Sequence, residues 1–380
     1  MIYLDSGATT LEKPPTVARA MAQAVGEMSS PGRGNYPASQ RAARTAYDCR
    51  EAAAELFHVP APEQVIFTCN ATHGLNIAIR TLVRPGCRVA VSGYEHNAVT
   101  RVLHSIPGVE IMVADAPLFR PEQTLEGFHT ALRRGVDAVI CNHVSNVFGC
   151  VQPVEELAGL CRQTHTPLIV DASQSAGILP VLLADWGAAF VAMPGHKGLY
   201  GPQGTGLLLC GAEASPLLYG GTGSASRRQT MPIDLPDRLE AGTHNMPGIA
   251  GLLEGLRFVS HAGVERIAQW ERRLTRRAEE GLARLPGVEV FADKTGQGQT
   301  GVLSFCVKGM DCEQVGEELA RRQIAVRAGL HCAPLAHRTA GTLESGTIRI
   351  SPSVFNTEGQ INFFLREMRE ILRENTKKSV

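Results

Sequence analysis

Leu168-Ile169-Val170-Asp171-Ala172-Ser173-Gln174 passes from apolar to acidic, and Ala188 to Ala192 repeats the apolar run before Met193-Pro194-Gly195-His196-Lys197. Each run has strand length, and each ends in polar groups. If the two are adjacent parallel strands, the Asp171 carboxylate and the Lys197 amine emerge at the same sheet edge. A glycine-rich stretch, Gly201-Pro202-Gln203-Gly204-Thr205-Gly206, follows the lysine.

The same alternation extends outward from this pair. Strand-like segments are predicted at Gln64–Thr68, Arg88–Ser92, Val109–Ala114, Asp137–Asn142, Pro167–Val170, Ala188–Ala192 and Gly206–Leu209. Helix-period segments fall between them at Leu75–Val83, Ala98–Ser105, Leu125–Arg134 and Val154–Gln163. Repeated βα units predict an α/β protein with a mostly parallel sheet covered by helices on both faces. Ligands of such sheets sit beyond the carboxyl ends of the strands. Polar groups fall there in five places: Asn70 to Thr72, Glu95 to Asn97, His143 with Asn146, Asp171 with Gln174, and His196 with Lys197. Their convergence predicts one site.

Residues 211 to 245 form a long irregular stretch, which in a compact enzyme is a functional loop more often than a linker. Beyond it, helices are expected at Ile249–Ser260, Val264–Leu285, Cys312–Arg322 and Glu358–Glu374. Strands are expected at Val288–Phe291, Val302–Val307, Ile324–Arg327 and Thr347–Ser351. This second pattern reads as a smaller α+β domain. The expected division is a large domain over 16–255, and a small one formed by 1–15 with 256–380.

Composition narrows the function classes. At 380 residues the chain exceeds one ordinary core, so two domains are the default. Lys plus Arg and Asp plus Glu both number 37, which leaves no basic footprint for nucleic acid. The ten cysteines contain no CxxC pair and no tight Cys/His spacing, against a zinc or iron–sulfur centre. A disulfide scaffold is not expected at this size, and a reducing, cytoplasmic setting is. The stretch from Ile178 to Met193 is the most apolar. It is too short to cross a bilayer and is broken by Pro180 and Asp185, so it reads as a turn and a buried strand.

The residue types suggest chemistry. A lysine amine can hold a carbonyl cofactor as a Schiff base, and a carboxylate can keep a pyridine nitrogen protonated; both suit pyridoxal 5'-phosphate (PLP). Asp171 could equally cap a turn. Gln174 could donate to a ring oxygen of the cofactor, and His96 could stack on the ring or relay protons. Thr72 and His196 are candidate phosphate ligands, Thr72 because the Asn70 turn opens a helix. The Gly201–Gly206 stretch lacks a Gly-Lys-Ser/Thr ending and is not a P-loop. Arg349, in an alternating strand, suits the carboxylate of an amino acid. In the loop Arg327 to Pro334, Cys332 is a nucleophile candidate beside His331.

Together these residues resemble the class V aminotransferase family of fold-type I PLP enzymes, and within it the SufS-type (group II) cysteine desulfurases and selenocysteine lyases. The motifs run nearly end to end: Tyr3-Leu4-Asp5 with Ala8-Thr9-Thr10, the Thr72 turn, Glu95-His96-Asn97, and His143-Val144-Ser145-Asn146. They continue with Asp171 to Gln174, Gly195-His196-Lys197, Glu240-Ala241-Gly242-Thr243, the Arg327–Cys332 loop and Arg349. The resemblance implies an aspartate aminotransferase-like fold and a homodimer. Lys197 would carry PLP, Asp171 would pair with its pyridinium, Gln174 with its ring hydroxyl, and His96 would stack on it. Thr72, His196 and, from the other subunit, Thr243 would hold phosphate. Asn146, Arg327 and Arg349 would hold L-cysteine or L-selenocysteine. Cys332 would take the sulfur as a persulfide, release alanine and pass the sulfur to an acceptor protein. Three positions depart from the pattern: Pro194 replaces a serine, Ser6-Gly7 replaces Asn-Ala, and His73 stands where Glu is common. They point to a divergent subgroup.

Three other readings stay open on the residues: a selenocysteine lyase, a cysteine or cystine C–S lyase that needs no thiol, and a scaffold that has lost catalysis. Alanine with persulfide, alanine with selenide, or pyruvate with ammonia would separate the catalytic ones.

Overall fold

Val, Ile and Leu fill the strands of the large sheet without a polar alternation, because both faces are covered. In the computed structural model, which describes residues 1–32, 34–296 and 298–378 (side chains to 375), seven strands form this sheet. Their spatial order is Val65–Thr68, Gly206–Cys210, Phe190–Pro194, Leu168–Asp171, Ala138–Asn142, Arg88–Ser92 and Glu110–Ala114. Only Gly206–Cys210 runs against its neighbours. Successive side chains feed opposite faces: Val170 and Val191 enter one core with Leu207 and Leu209, while Ile169 and Phe190 enter the other with Leu208. The register sets Asn142 opposite Asp171 and Asp171 opposite Ala192, which lines up the strand ends.

A second, antiparallel sheet runs Arg327–Gly329, Thr347–Ile350, Leu303–Val307 and Val288–Phe291. Helices Val264–Leu282, Cys312–Arg321 and Glu358–Lys378 supply its covering layer, and their apolar faces join the strands in a third core. The amino-terminal strand Ile2–Tyr3 pairs in parallel with Ile324–Ala325, and Asp5 bridges to Ser351. The chain start is thereby tied to its last third.

Three local readings change. Ile324–Arg327 is two short strands, Ile324–Ala325 and Arg327–Gly329, which pair with different partners. The apolar stretch before Met193 contains a one-turn helix, Leu183–Trp186, closed by Gly187 in the left-handed region. Helices Pro15–Glu27 and Pro37–Leu56 precede the first large-sheet strand, outside every segment assigned from periodicity. The second of these is built largely of Ala and Arg, which gives little apolar contrast. Among the described residues no helix is long and apolar enough to cross a membrane, and no group of His, Cys, Asp and Glu could hold a metal ion.

Candidate active site

The predicted convergence at the strand ends is realised as a cavity of about 110 Å³. Thr72, His96, Asn146, Asp171, Gln174, His196 and Lys197 all line it, one or more from each of the five clusters. His143 does not. It is buried beside Trp186, with ring centroids 5.2 Å apart.

One end of the cavity is a helix start. Asn70 caps the helix Ala71–Leu82, its Oδ1 accepting the His73 N–H at 2.9 Å, and the first turn carries no acidic residue. The unpaired N–H groups of that turn and the exposed Thr72 beside them suit an anion. Gly206 makes the turn fit: a Cβ there would lie 2.7 Å from the Asn70 carbonyl carbon. Gly201 is as confined, 2.8 Å from the Gly195 carbonyl oxygen. Close packing, not phosphate binding, explains these two glycines of the stretch after Lys197. His196 lines the same cavity with Nδ1 3.0 Å from Thr9 Oγ1, and burial pulls its pKa down to about 4.

Asp171 ends its strand buried, with Oδ1 accepting the Ser173 N–H at 2.9 Å, so the turn-capping role and the cavity position coexist. Burial lowers the Lys197 amine to about pH 8, with Asp171 opposing the shift. An amine so lowered is a ready nucleophile near neutral pH. The Lys197 backbone is held, since its carbonyl accepts the Tyr200 N–H at 2.9 Å and the His196 carbonyl accepts the Thr10 hydroxyl at 3.0 Å.

His96 caps the helix Asn97–His104. Its Nδ1 accepts the Ala98 N–H at 3.0 Å, so the ring proton resides on Nε2. Burial pulls its pKa down to about 4, which keeps the ring neutral. Below it lies a network that sequence reasoning did not find. Ser92 Oγ sits 2.7 Å from Asn142 Oδ1 and 2.6 Å from Glu95 Oε1, while the Asn142 amide nitrogen donates to the Tyr94 carbonyl at 2.9 Å. Ser92 Oγ and the Asn142 backbone N–H, at 2.7 Å, both donate to Glu95 Oε1, and its Oε2 is buried without a partner. Burial, aided by the negative charge of Asp171, pushes the Glu95 carboxyl up to about 8 against these two hydrogen bonds, which favour the ionised form.

Arg349, Arg327 and Thr243 lie outside the cavity wall, while Gln174 lines it. Arg349 is 2% exposed; its Nη1 donates to the Asn146 carbonyl and its Nη2 to Asp5 Oδ1, both at 2.7 Å. A bidentate grip on a carboxylate would have to displace these partners. Gln174 donates to the Gly7 carbonyl at 2.9 Å. Arg327 is exposed, directly opposite Arg349 in the sheet register. Thr243 is exposed and lines a different cavity, of about 160 Å³, with Phe67, His73 and Gly206.

Cys332 is exposed, as expected of a nucleophile, but its neighbour corrects the reading of the pair. His331 is buried, with Nε2 3.1 Å from Thr347 Oγ1, and its ring stacks on His337. Burial and the cationic Arg349 drive its pKa down to about 2. A ring so held is neutral and cannot lower the thiol pKa by its charge. Sequence adjacency suggested a couple; the backbone sends the two side chains into different surroundings.

The profile of the aminotransferase class-V family matches residues 2–364. The chain belongs to the class V aminotransferase family. Among curated proteins, it is 32% identical to a probable cysteine desulfurase of Mycolicibacterium paratuberculosis, over 98% of the chain and 55% of that protein. It is 32% identical to a probable cysteine desulfurase of Methanothermobacter thermautotrophicus, over 97% of the chain and 94% of that protein. The chain thus spans about half the length of the first relative and nearly all of the second. A solved class V structure, the apo cysteine desulfurase of Thermococcus onnurineus NA1, superposes with a TM-score of 0.89 at 30% identity, covering 98% and 95% of the two chains. The cysteine desulfurase CsdA of Escherichia coli gives 0.83 at 27% identity, covering 98% and 94%. The expected aspartate aminotransferase-like fold, with its mostly parallel large sheet, is therefore the fold of this chain.

Proposed function

We propose that this class V protein is a PLP-dependent cysteine desulfurase that converts L-cysteine to L-alanine and takes the sulfur as a persulfide on Cys332. The observation that carries the reading is the single cavity shared by Lys197, Asp171 and the anion-accepting start of the helix Ala71–Leu82. Its polar groups match the three functional ends of PLP: an amine for the aldehyde, a carboxylate for the ring nitrogen and N–H donors for the phosphate. When bound, PLP supplies an electron sink conjugated to the amino acid.

The chain's own residues do the rest. Lys197, with its lowered pKa, holds the cofactor and afterwards is an amine able to carry a proton. Neutral His96 would face the ring of the cofactor, and Asp171 would stabilise positive charge on its ring nitrogen. Gln174 serves the ring oxygen, and Thr72 and His196 serve the phosphate. Asn146, Arg327 and Arg349 orient the amino acid. The Cys332 thiolate attacks the substrate sulfur; an S–S bond forms, the C–S bond breaks, and its electron pair leaves with carbon, which takes up a proton. L-Cysteine plus one thiol thus give L-alanine plus one persulfide, with no outside oxidant.

Further parts of this reading concern assembly. Thr243 belongs to the phosphate site of a second copy in a two-fold homodimer, and the persulfide passes to an acceptor protein. Residues 16–255 make the large domain, and 1–15 with 256–380 the small one; pairing of Ile2–Tyr3 with Ile324–Ala325 supports that grouping. Ten free cysteines support a reducing, cytoplasmic setting.

The test is product analysis with L-cysteine. Alanine and sulfane sulfur in equal amounts support the proposal. Pyruvate and ammonia would assign the chain to C–S lyases, and turnover of selenocysteine alone to selenocysteine lyases.

A further inference from the structure

Asn146 faces two ways. Its Nδ2 donates to the His331 carbonyl at 2.8 Å, across the chain, while its Oδ1 is buried without a partner. The residue is 8% exposed and lines the cavity that holds Lys197. The segment on the other side of that bond is strained. His331 and Cys332 have φ of 49° and 56°, two successive side-chain-bearing residues in the left-handed region. Such pairs persist only where surrounding contacts impose them. The contacts on the pair are the Ala333 N–H on the Leu330 carbonyl at 2.9 Å, which closes the turn, the Asn97 N–H on the Cys332 carbonyl at 2.8 Å, Asn146 on the His331 carbonyl, and Thr347 on the His331 ring. Arg349 secures the backbone of Asn146 itself, donating to its carbonyl at 2.7 Å.

We propose that the Asn146 side chain is a latch coupling occupancy of the cavity to the position of Cys332. In this structure the amide holds the His331 carbonyl of the left-handed His331–Cys332 pair. A carboxylate oxygen of a bound amino acid competes for Nδ2. Once the amide turns to it, the carbonyl is released, the strained pair relaxes, and the thiol segment is free to move. Because Nδ2 carries two N–H groups, coupling of this kind requires that the amide turn to bind the ligand, and no hydrogen bond on Oδ1 holds it against such a turn. The inference rests on reading the cavity as an amino-acid site, and it adds that the thiol is held back until that site is filled.

The test uses PLP-loaded protein and L-alanine, which carries the carboxylate but no sulfur, and follows iodoacetamide alkylation of the Cys332 peptide by mass spectrometry. L-Alanine is expected to speed alkylation of the wild type at least fivefold. Asn146→Ala is expected to react at the fast rate without L-alanine. Equal or slower alkylation of the wild type with L-alanine, or an Asn146→Ala protein as slow as the unliganded wild type, would overturn the latch. Should that variant not fold, hydrogen exchange of the Cys332 and Ala333 amides in unmutated protein decides. Faster exchange with L-alanine supports the proposal, and unchanged protection refutes it. Neither readout needs sulfur transfer, so a protein that makes no alanine from cysteine could still pass or fail.

Discussion

Arg50 and Glu240 meet two-pronged inside the protein: Nη1 donates to Oε1 at 2.8 Å and Nη2 to Oε2 at 2.6 Å, with both residues buried. Glu240 also accepts the Phe67 N–H at 2.6 Å and lies 2.6 Å from His244 Nε2. The guanidinium donates to the Val65 carbonyl and stands 4.1 Å over the Phe67 ring. The segment carrying Thr243 is thus pinned on both sides, at Glu240 and at His244, to the edge strand Val65–Thr68.

Removing one partner leaves the other charge stranded. Glu240→Ala should cost about 3–5 kcal/mol in chemical denaturation, while Arg50→Met with Glu240→Leu should recover most of it. A loss under about 1 kcal/mol for Glu240→Ala would mean that water replaces the carboxylate.

If Lys197 is the amine that captures the aldehyde of PLP, as proposed, its lowered pKa governs loading. PLP-loaded protein should show a visible band that borohydride abolishes, and Lys197→Ala should fold yet lose the reducible linkage. The rate of loading should rise with pH through about 8, as the amine gives up its proton. A protein that stays colourless with PLP defeats the proposed function.

Cys332→Ala should abolish alanine release from L-cysteine, while the visible band on PLP loading stays as in the wild type. Turnover of cysteine at the wild-type rate would make Cys332 a bystander and favour the C–S lyase.

Glu95 sets a pH dependence. Its pKa is raised in the folded chain, so the stability it contributes is full below about 4.5 and is lost as pH rises towards 8. Glu95→Gln keeps a donor and an acceptor but cannot ionise. Relative to Glu95→Gln, the wild type should lose at least about 2 kcal/mol between pH 5 and 9. The neutral, half-buried His96 and the buried His143 act on the other side, losing stability as pH falls from 6.5 through about 4. A difference that does not change with pH would show that Glu95 ionises freely.

The class V fold was legible because its signal is local. Buried parallel strands read as unbroken apolar runs, and the groups that close them are near: Asp171 is the last residue of its strand, and Lys197 lies three residues beyond the end of its own. The helices before residue 57 were not legible, since Ala-rich segments packed by a neighbouring helix carry weak apolar periodicity.

Residue types and spacing were enough to bring Thr72, His96, Asn146, Asp171, Gln174, His196 and Lys197 to one sheet edge, because strand direction and period fix where each strand end points. Partner choice is a different matter. Arg349 is held by Asp5 and Asn146, and His331 turns inward to Thr347. Glu95 keeps its proton because burial outweighs the hydrogen bonds it accepts from Ser92 and Asn142. These outcomes depend on contacts between residues far apart in the chain and on how much water each group loses, and both exist only once the sheets and helices have packed.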